Sequence, residues 1–162
     1  MDSRKLILAI NPGSTSTKIA VYNEEEQLFV KNLKHSAEEI AKYDCIADQY
    51  EFRKSIVLEE VKAAGFDIRD FKVIVGRGGL VKPISSGVWR VNDAMLEDLK
   101  KGVSGQHACN LGGLIAHDIA SSLEGVPAII ADPVVVDEMH PLARVSGHPA
   151  FPRQSIFHAL NQ

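Results

Sequence analysis

The sequence predicts an α/β domain with a mixed β-sheet, in which three N-terminal strands are antiparallel and helices cover both faces. Near the N-terminus, three short apolar runs are separated by turns too short for a parallel crossover. Farther along, segments with helical periodicity alternate with short β-branched runs, which is typical of a sheet covered by helices. The chain has 162 residues, of which 45% are hydrophobic, enough for one full domain but short for two.

The first three predicted strands have clear ends. The apolar run at residues 5–10 stops at Asn11-Pro12-Gly13, and a second run occupies residues 17–22. An acidic turn then precedes a third run at residues 26–33. Because parallel neighbours would need a long crossover, these runs predict an antiparallel meander.

Two helical segments are predicted next, with a break near residues 43–46. Ser36 and Glu39 have the spacing of a capping box, which begins a helix. Between residues 51 and 64, apolar side chains recur at helical spacing, and Gly65 ends the run.

Three more strands are predicted in the second half of the chain. The β-branched run at residues 71–75 indicates a central strand that leads into a glycine turn at residues 76–79. Residues 88–91 indicate a short strand. Residues 128–131 indicate another, closed by Asp132-Pro133.

Two helices lie between these strands. Asn92 or Asp93 can cap a helix over residues 94–101, and Gly102 ends it. A longer helix is predicted over residues 109–123, where leucine and isoleucine recur on one face.

We expect residues 1–150 to form an N-terminal domain and residues 151–162 to begin a second domain whose remainder is absent. The chain beyond Asp132 is rich in proline and glycine, as domain boundaries are. Ser155 resembles the start of a helix, but the sequence ends shortly afterwards.

Charge and hydropathy exclude several classes of partner. The net charge is −3 and the two signs are interspersed, which argues against nucleic-acid and membrane-surface binding. No apolar run reaches the roughly 18 residues that span a bilayer, and no signal-peptide core is present, so we expect a cytoplasmic protein. Cys45 and Cys109 are too few for a disulfide framework or a zinc site, and we expect both to be buried.

Residues 11–18, Asn-Pro-Gly-Ser-Thr-Ser-Thr-Lys, have the composition of a phosphate-binding loop. Gly13 lets backbone amides approach an anion, Ser14 adds a hydroxyl, and strand alternation places Ser16 and Lys18 on one face. The segment is not a P-loop, because a strand rather than a helix follows the lysine. A phosphate loop between two strands points to the actin-like class of ATPases and kinases, whereas an ordinary hairpin turn is the alternative.

Charged residues follow two of the later strands. Arg77 is placed to bind a carboxylate or a transferring phosphoryl group, with a solvated loop arginine as the alternative. Asp132 is placed to orient Mg²⁺ or the acceptor. Because the ends of strands open onto the ligand crevice of an α/β sheet, we expect Asn11, Arg77 and Asp132 to converge on one rim.

Two histidines are weaker candidates. His107 precedes the predicted helix at 109–123, where an imidazole can stabilise an anion near the helix N-terminus. A structural role is the simpler interpretation of that residue. His158 lies beside Phe157, and taken alone it favours a buried core histidine.

Five segments, in order, resemble those of the butyrate kinases, and the resemblance covers essentially the whole chain. They are residues 10–18, 75–79, 105–112, 132–139 and 155–162. The family is related to the acetate kinases and shares their actin-like, ribonuclease-H-like duplicated fold, with the active site between two domains. The residues around Arg77 and His158 resemble those of butyrate kinases rather than those of acetate kinases.

The resemblance implies an ATP and Mg²⁺ site with roles for nine residues. Those at the phosphate and metal end of the nucleotide are Asn11, Gly13, Ser14, Ser16 and Lys18. Those at the transferring group are Arg77, His107 and His158. Asp132 would lie at the acceptor, and Asp132 and Asn11 would both lie at Mg²⁺.

The expected reaction is transfer of the ATP γ-phosphoryl group to the carboxylate of butyrate or a similar short-chain or branched acid, by a homo-oligomer. Relative to the family the chain is less than half a protein, so alone it is expected to be inactive. A non-catalytic nucleotide-binding or structural fragment is therefore the alternative. A Ser-His-Asp hydrolase is disfavoured because no G-x-S-x-G elbow occurs. The preferred acid stays open.

Overall fold

A computed structural model describes residues 5–155, which form a six-stranded mixed sheet in the order β3-β2-β1-β4-β6-β5. The strands β1, β2 and β3 pair as an antiparallel meander, and β1, β4 and β6 run parallel to one another. The short β5 pairs antiparallel with β6 at the edge. All six predicted strands are confirmed: β1 (Leu6–Pro12), β2 (Ser16–Asn23), β3 (Glu26–Lys34), β4 (Phe71–Arg77), β5 (Val88–Arg90) and β6 (Ala128–Ala131).

Four α-helices connect these strands, and α1 and α3 have the N-terminal caps that the sequence indicates. Ser36 and Glu39 form the predicted capping box. Asn92 accepts a hydrogen bond from the Met95 amide at 3.0 Å, and Gly102 ends that helix with a left-handed φ of 67°. The helices are α1 (Ala37–Ile40), α2 (Tyr50–Ala63), α3 (Asp93–Lys101) and α4 (Asn110–Ser121), with 3₁₀ helices at Ala47–Gln49, Ile68–Asp70 and Pro141–Arg144.

The three longer helices form one layer. α4 packs across β1, β4 and β6, and both α2 and α3 pack against α4. We expected helices on both faces of the sheet, but among residues 5–155 they cover only one. The crossovers from β3 to β4 and from β4 to β6 advance in the same direction along the sheet. Right-handed crossovers that advance in one direction place their helices on the same face.

The core lies between this helix layer and the sheet. Side chains alternate along β1, so that Leu8 and Ile10 are fully buried under the helices while Ala9 and Asn11 face the other side. The other face of the sheet carries no helix among residues 5–155. The aliphatic core residues of α4, including Leu111 and Ile115, are also buried.

The remaining expectations have mixed outcomes. Cys109 is buried as predicted, but Cys45 is exposed because it lies in the irregular chain between α1 and α2. The helix predicted from Ser155 falls beyond the described residues, so the division at residue 150 stays a prediction. None of the helices within residues 5–155 has the length and apolar character needed to cross a membrane.

Candidate phosphate-binding site

Asn11, Lys18 and Arg77 lie side by side on the uncovered face of the sheet. Asn11 and Lys18 are register partners of β1 and β2, and Arg77 follows Gly76, the parallel partner of Ile10. The Arg77 Nη1 atom lies 3.5 Å from Asn11 Oδ1, a long hydrogen bond. The three side chains line one cavity of about 340 Å³. The side chains of Asn11 and Arg77, at the ends of β1 and β4, therefore lie together as predicted.

The cavity combines positive charge with apolar walls. Ala9, Ala20 and Val75 line its floor, while Lys18 and Arg77 supply two cationic side chains. None of the described residues that line it carries a carboxylate. Neither cation forms an ion pair within residues 5–155. In a partly apolar cavity they attract an anion more strongly than the same groups would in open water.

The hairpin between β1 and β2 differs in one respect from the expectation. The Gly13 N–H, which we expected to approach an anion, donates instead to the Ser16 carbonyl at 2.7 Å. Ser14 and Thr15 are exposed at the tip. Ser16 lies on the face of Lys18, as predicted from alternation, and Thr17 points to the buried side.

Arg53 of α2 holds this hairpin from beneath, and sequence reasoning missed it. Its side chain is only 1% exposed. It donates to the carbonyl oxygens of Gly13 at 2.7 Å, Ser14 at 3.0 Å and Ser16 at 3.1 Å, and to the Thr17 hydroxyl at 3.2 Å. The available signal was the position of this arginine, four residues before Val57 and eight before Val61, on the side of α2 that is buried. A charged side chain on a buried helix face needs hydrogen-bond partners.

His35 belongs to the same buried cluster. One ring nitrogen, Nε2, lies 2.9 Å from the Thr17 hydroxyl, whereas Nδ1 is buried and has no hydrogen-bond partner among the described residues. Burial, followed by the positive charge of Arg53, lowers the pKa of His35, and the negative charge of Glu39 partly opposes this. The fold therefore favours the neutral imidazole beneath the hairpin.

Asp132 lies at the neighbouring strand end but outside the cavity lining. It follows Ala131, which lines the cavity and is the register partner of Arg77. Its Oδ1 accepts a hydrogen bond from the Gly87 amide at 2.7 Å, and its backbone has a left-handed φ of 39°. The structure thus brings Asp132 to the rim beside Arg77 and directs one of its oxygens to the turn before β5.

The two candidate histidines are placed differently. His107 is exposed just before α4, and its Nδ1 accepts a hydrogen bond from the Cys109 amide at 3.2 Å. Burial raises the pKa of the Cys109 thiol at the start of α4, and the positive charge of Arg77 is among the effects that oppose the rise. His158 lies outside the described residues.

The donor set fits a magnesium ion that is bound chiefly by phosphates and water. Within residues 5–155, no three His, Cys, Asp or Glu side chains are grouped closely enough to form a metal site of their own. Mg²⁺ is commonly held by one or two protein oxygens together with substrate phosphates. Asn11 and Asp132 offer such oxygens at nearby strand ends.

Comparison with known proteins supplies a close relative. A search of protein-family models finds no match. Butyrate kinase 1 from Clostridium acetobutylicum is 58% identical over 156 residues, which are 96% of this chain and 44% of that protein. The chain therefore spans less than half the length of this curated relative.

Solved structures show the same fold. A propionate kinase from Francisella tularensis matches with a TM-score of 0.53 and 20% identity, over 90% of this chain and 41% of that one. An acetate kinase from Porphyromonas gingivalis matches with a TM-score of 0.58 and 12% identity, again over 90% and 41%. The predicted actin-like α/β fold is confirmed. The resemblance to butyrate kinases, which the sequence shows in five segments, is confirmed by the 58% identity to butyrate kinase 1.

Proposed function

We propose that this chain forms one wall of the active site of a kinase that transfers the γ-phosphoryl group of ATP to the carboxylate of butyrate or a similar short-chain or branched acid. The observation that carries the proposal is the juxtaposition of Asn11, Lys18 and Arg77 in a cavity lined by no carboxylate among the described residues. The 58% identity to a protein named butyrate kinase 1 supports the choice of reaction.

Each residue of the site has a proposed role. Lys18 and the hydroxyls of Ser14 and Ser16 would bind the nucleotide phosphates, with the hairpin at Gly13 shaping the loop. Mg²⁺ would neutralise part of the phosphate charge when bound beside the Asn11 oxygen.

Residues at the other strand ends would serve the transferring group. Arg77 would stabilise its charge, with His107 and His158 beside it. Asp132 would orient the acceptor and Mg²⁺.

The reaction needs charge stabilisation more than proton transfer. A short-chain acid has a pKa of roughly 4 to 4.5, so it is ionised near neutral pH and needs no general base. One carboxylate oxygen forms a bond to the γ-phosphorus while the bond to the bridging oxygen breaks, and ADP leaves with that electron pair. Because an anion must approach a triphosphate, cations such as Arg77 lower the barrier by countering the repulsion.

A non-catalytic nucleotide-binding fragment is the second candidate. The chain spans 44% of its relative, and the cavity that holds Lys18 and Arg77 opens on a sheet face without helices among residues 5–155. Phosphoryl transfer requires a closed site that excludes water. The chain alone is therefore proposed to be inactive. Cytoplasmic location and homo-oligomer assembly stay predictions.

One assay separates the two candidates. Acyl phosphate formed from butyrate, ATP and Mg²⁺ is trapped with hydroxylamine, for this chain and for the extended protein, in which the chain is continued to the length of its curated relative. Activity of the extended protein alone is the expected result. Failure of the extended protein with butyrate and with branched or shorter acids would refute the kinase proposal.

A further inference from the structure

Arg53 carries a buried positive charge that no carboxylate among the described residues neutralises. Within residues 5–155 its guanidinium makes hydrogen bonds only to neutral oxygens, and no Asp or Glu forms an ion pair with it. Burial lowers the pKa of Arg53, but a guanidinium keeps its proton at neutral pH. A buried, unneutralised charge is costly, and an anion bound nearby would offset that cost.

The side chain of Arg53 is itself oriented by the residue that precedes α2. Gln49, one helical turn earlier, accepts hydrogen bonds from Nε at 3.1 Å and from Nη2 at 2.8 Å through its side-chain oxygen. Gln49 is also buried. Both ends of the guanidinium fork are thus fixed, the Nε edge by Gln49 and the terminal nitrogens by the hairpin.

The hydrogen bonds of Arg53 also set the orientation of the hairpin peptides. The carbonyls of Gly13 and Ser14 point towards the buried guanidinium. In a planar trans peptide the N–H points away from the carbonyl, so the N–H groups of Ser14 and Thr15 are directed away from Arg53, towards the exposed tip. Successive N–H groups that point outwards form an anion-binding concavity.

We propose that Arg53 is a positioning residue of the phosphate site. Its side chain turns the hairpin carbonyls inwards, presents the Ser14 and Thr15 amides to the nucleotide phosphates, and adds positive charge beneath them. This inference rests on the proposed kinase function for the identity of the anion. Arg53 itself touches the hairpin rather than the substrate.

The test uses the extended protein with two substitutions, one that replaces Arg53 and one that removes its hydrogen-bond partner. Arg53→Lys keeps the charge but cannot span the same set of carbonyls. Gln49→Ala keeps the arginine but removes its orienting partner. Arg69→Lys is the matched control, because Arg69 is an exposed arginine that pairs with Asp67 just before β4, at the opposite end of that strand from Arg77. Each variant is measured for thermal unfolding, MgATP binding by calorimetry, and KM for ATP and for butyrate.

We expect Arg53→Lys to weaken MgATP binding and raise the KM for ATP by about tenfold or more, since small displacements of a binding group are costly. Gln49→Ala should do the same to a smaller extent. The KM for butyrate should change less than about twofold in both. With MgATP bound, amide hydrogen exchange at residues 14 and 15 should be faster than in the MgATP-bound parent protein, while Arg69→Lys matches the parent throughout.

Two results would overturn the inference. One is a lowered melting temperature in Arg53→Lys with unchanged MgATP affinity and unchanged KM for ATP, which would make the residue purely structural. The other is equal loss of ATP and butyrate affinity. If the parent protein binds MgATP but phosphorylates no carboxylate, the kinase proposal fails, and the calorimetry of the variants still decides the role of Arg53.

Discussion

Gly76 and Gly112 bring β4 and α4 into backbone contact. A Cβ atom on Gly76 would lie 2.2 Å from the carbonyl oxygen of Gly112, and one on Gly112 would lie 2.7 Å from the carbonyl oxygen of Arg77. Neither distance leaves room for a side chain. The two glycines therefore fix the helix against the strand end that carries Arg77.

Gly76→Ala is expected to destabilise this chain by about 1–3 kcal/mol or more, because an added methyl group must displace backbone in a packed core. Urea unfolding followed by circular dichroism measures the change. Gly147→Ala is the matched control, since a Cβ there meets no atom within 4 Å and no left-handed φ is involved. Equal stability of Gly76→Ala and the parent chain would show that α4 is not held at this distance.

The buried His35 should make folding stability fall in mild acid. Its pKa is lowered in the fold, mainly by burial, from an ordinary value of 6.5. As the pH falls through about 6.5, the unfolded chain takes up a proton that the folded chain resists, so the free energy of unfolding decreases. The decrease ends once His35 is protonated in the folded chain too.

Comparison of His35→Gln with the parent chain isolates this contribution. Glutamine keeps a polar contact for Thr17 but does not titrate, so the free energy of unfolding should depend less steeply on pH between 7 and 5 in denaturant titrations. Parallel curves for His35→Gln and the parent would contradict the prediction.

Asp132→Asn in the extended protein tests the proposed magnesium role. Asparagine retains an oxygen for the Gly87 amide and tolerates the left-handed backbone, so the fold should be kept. We expect the Mg²⁺ concentration for half-maximal activity to rise on the order of tenfold. Asp44→Asn, at an exposed residue, is the control. Normal activity across the whole Mg²⁺ range would remove Asp132 from the site.

Features that depend on neighbouring residues could be predicted from the sequence. A few consecutive residues are enough to predict each of three such features: the strand at residues 5–10, the Ser36 capping box and the Asn92 cap. The shared face of Ser16 and Lys18 follows in the same way, because side chains alternate along a strand.

Features that depend on contacts between residues distant in the sequence could not be predicted. The single helix layer follows from the strand order, which no local signal gives. The contact between Asp132 and Gly87 depends on the pairing of β5 with β6. Arg53 lies 40 residues from Gly13 in sequence, and only the folded chain brings its charge beneath the hairpin.

Turnover of Arg77→Ala in the extended protein tests the central claim most directly. The hydroxylamine assay with butyrate and MgATP should show a loss of at least about 10³-fold in kcat, because the arginine would stabilise charge that develops in the transition state. Arg69→Ala should retain parental turnover, since that side chain is exposed at the other end of β4. A kcat for Arg77→Ala equal to that of the parent protein would contradict the account.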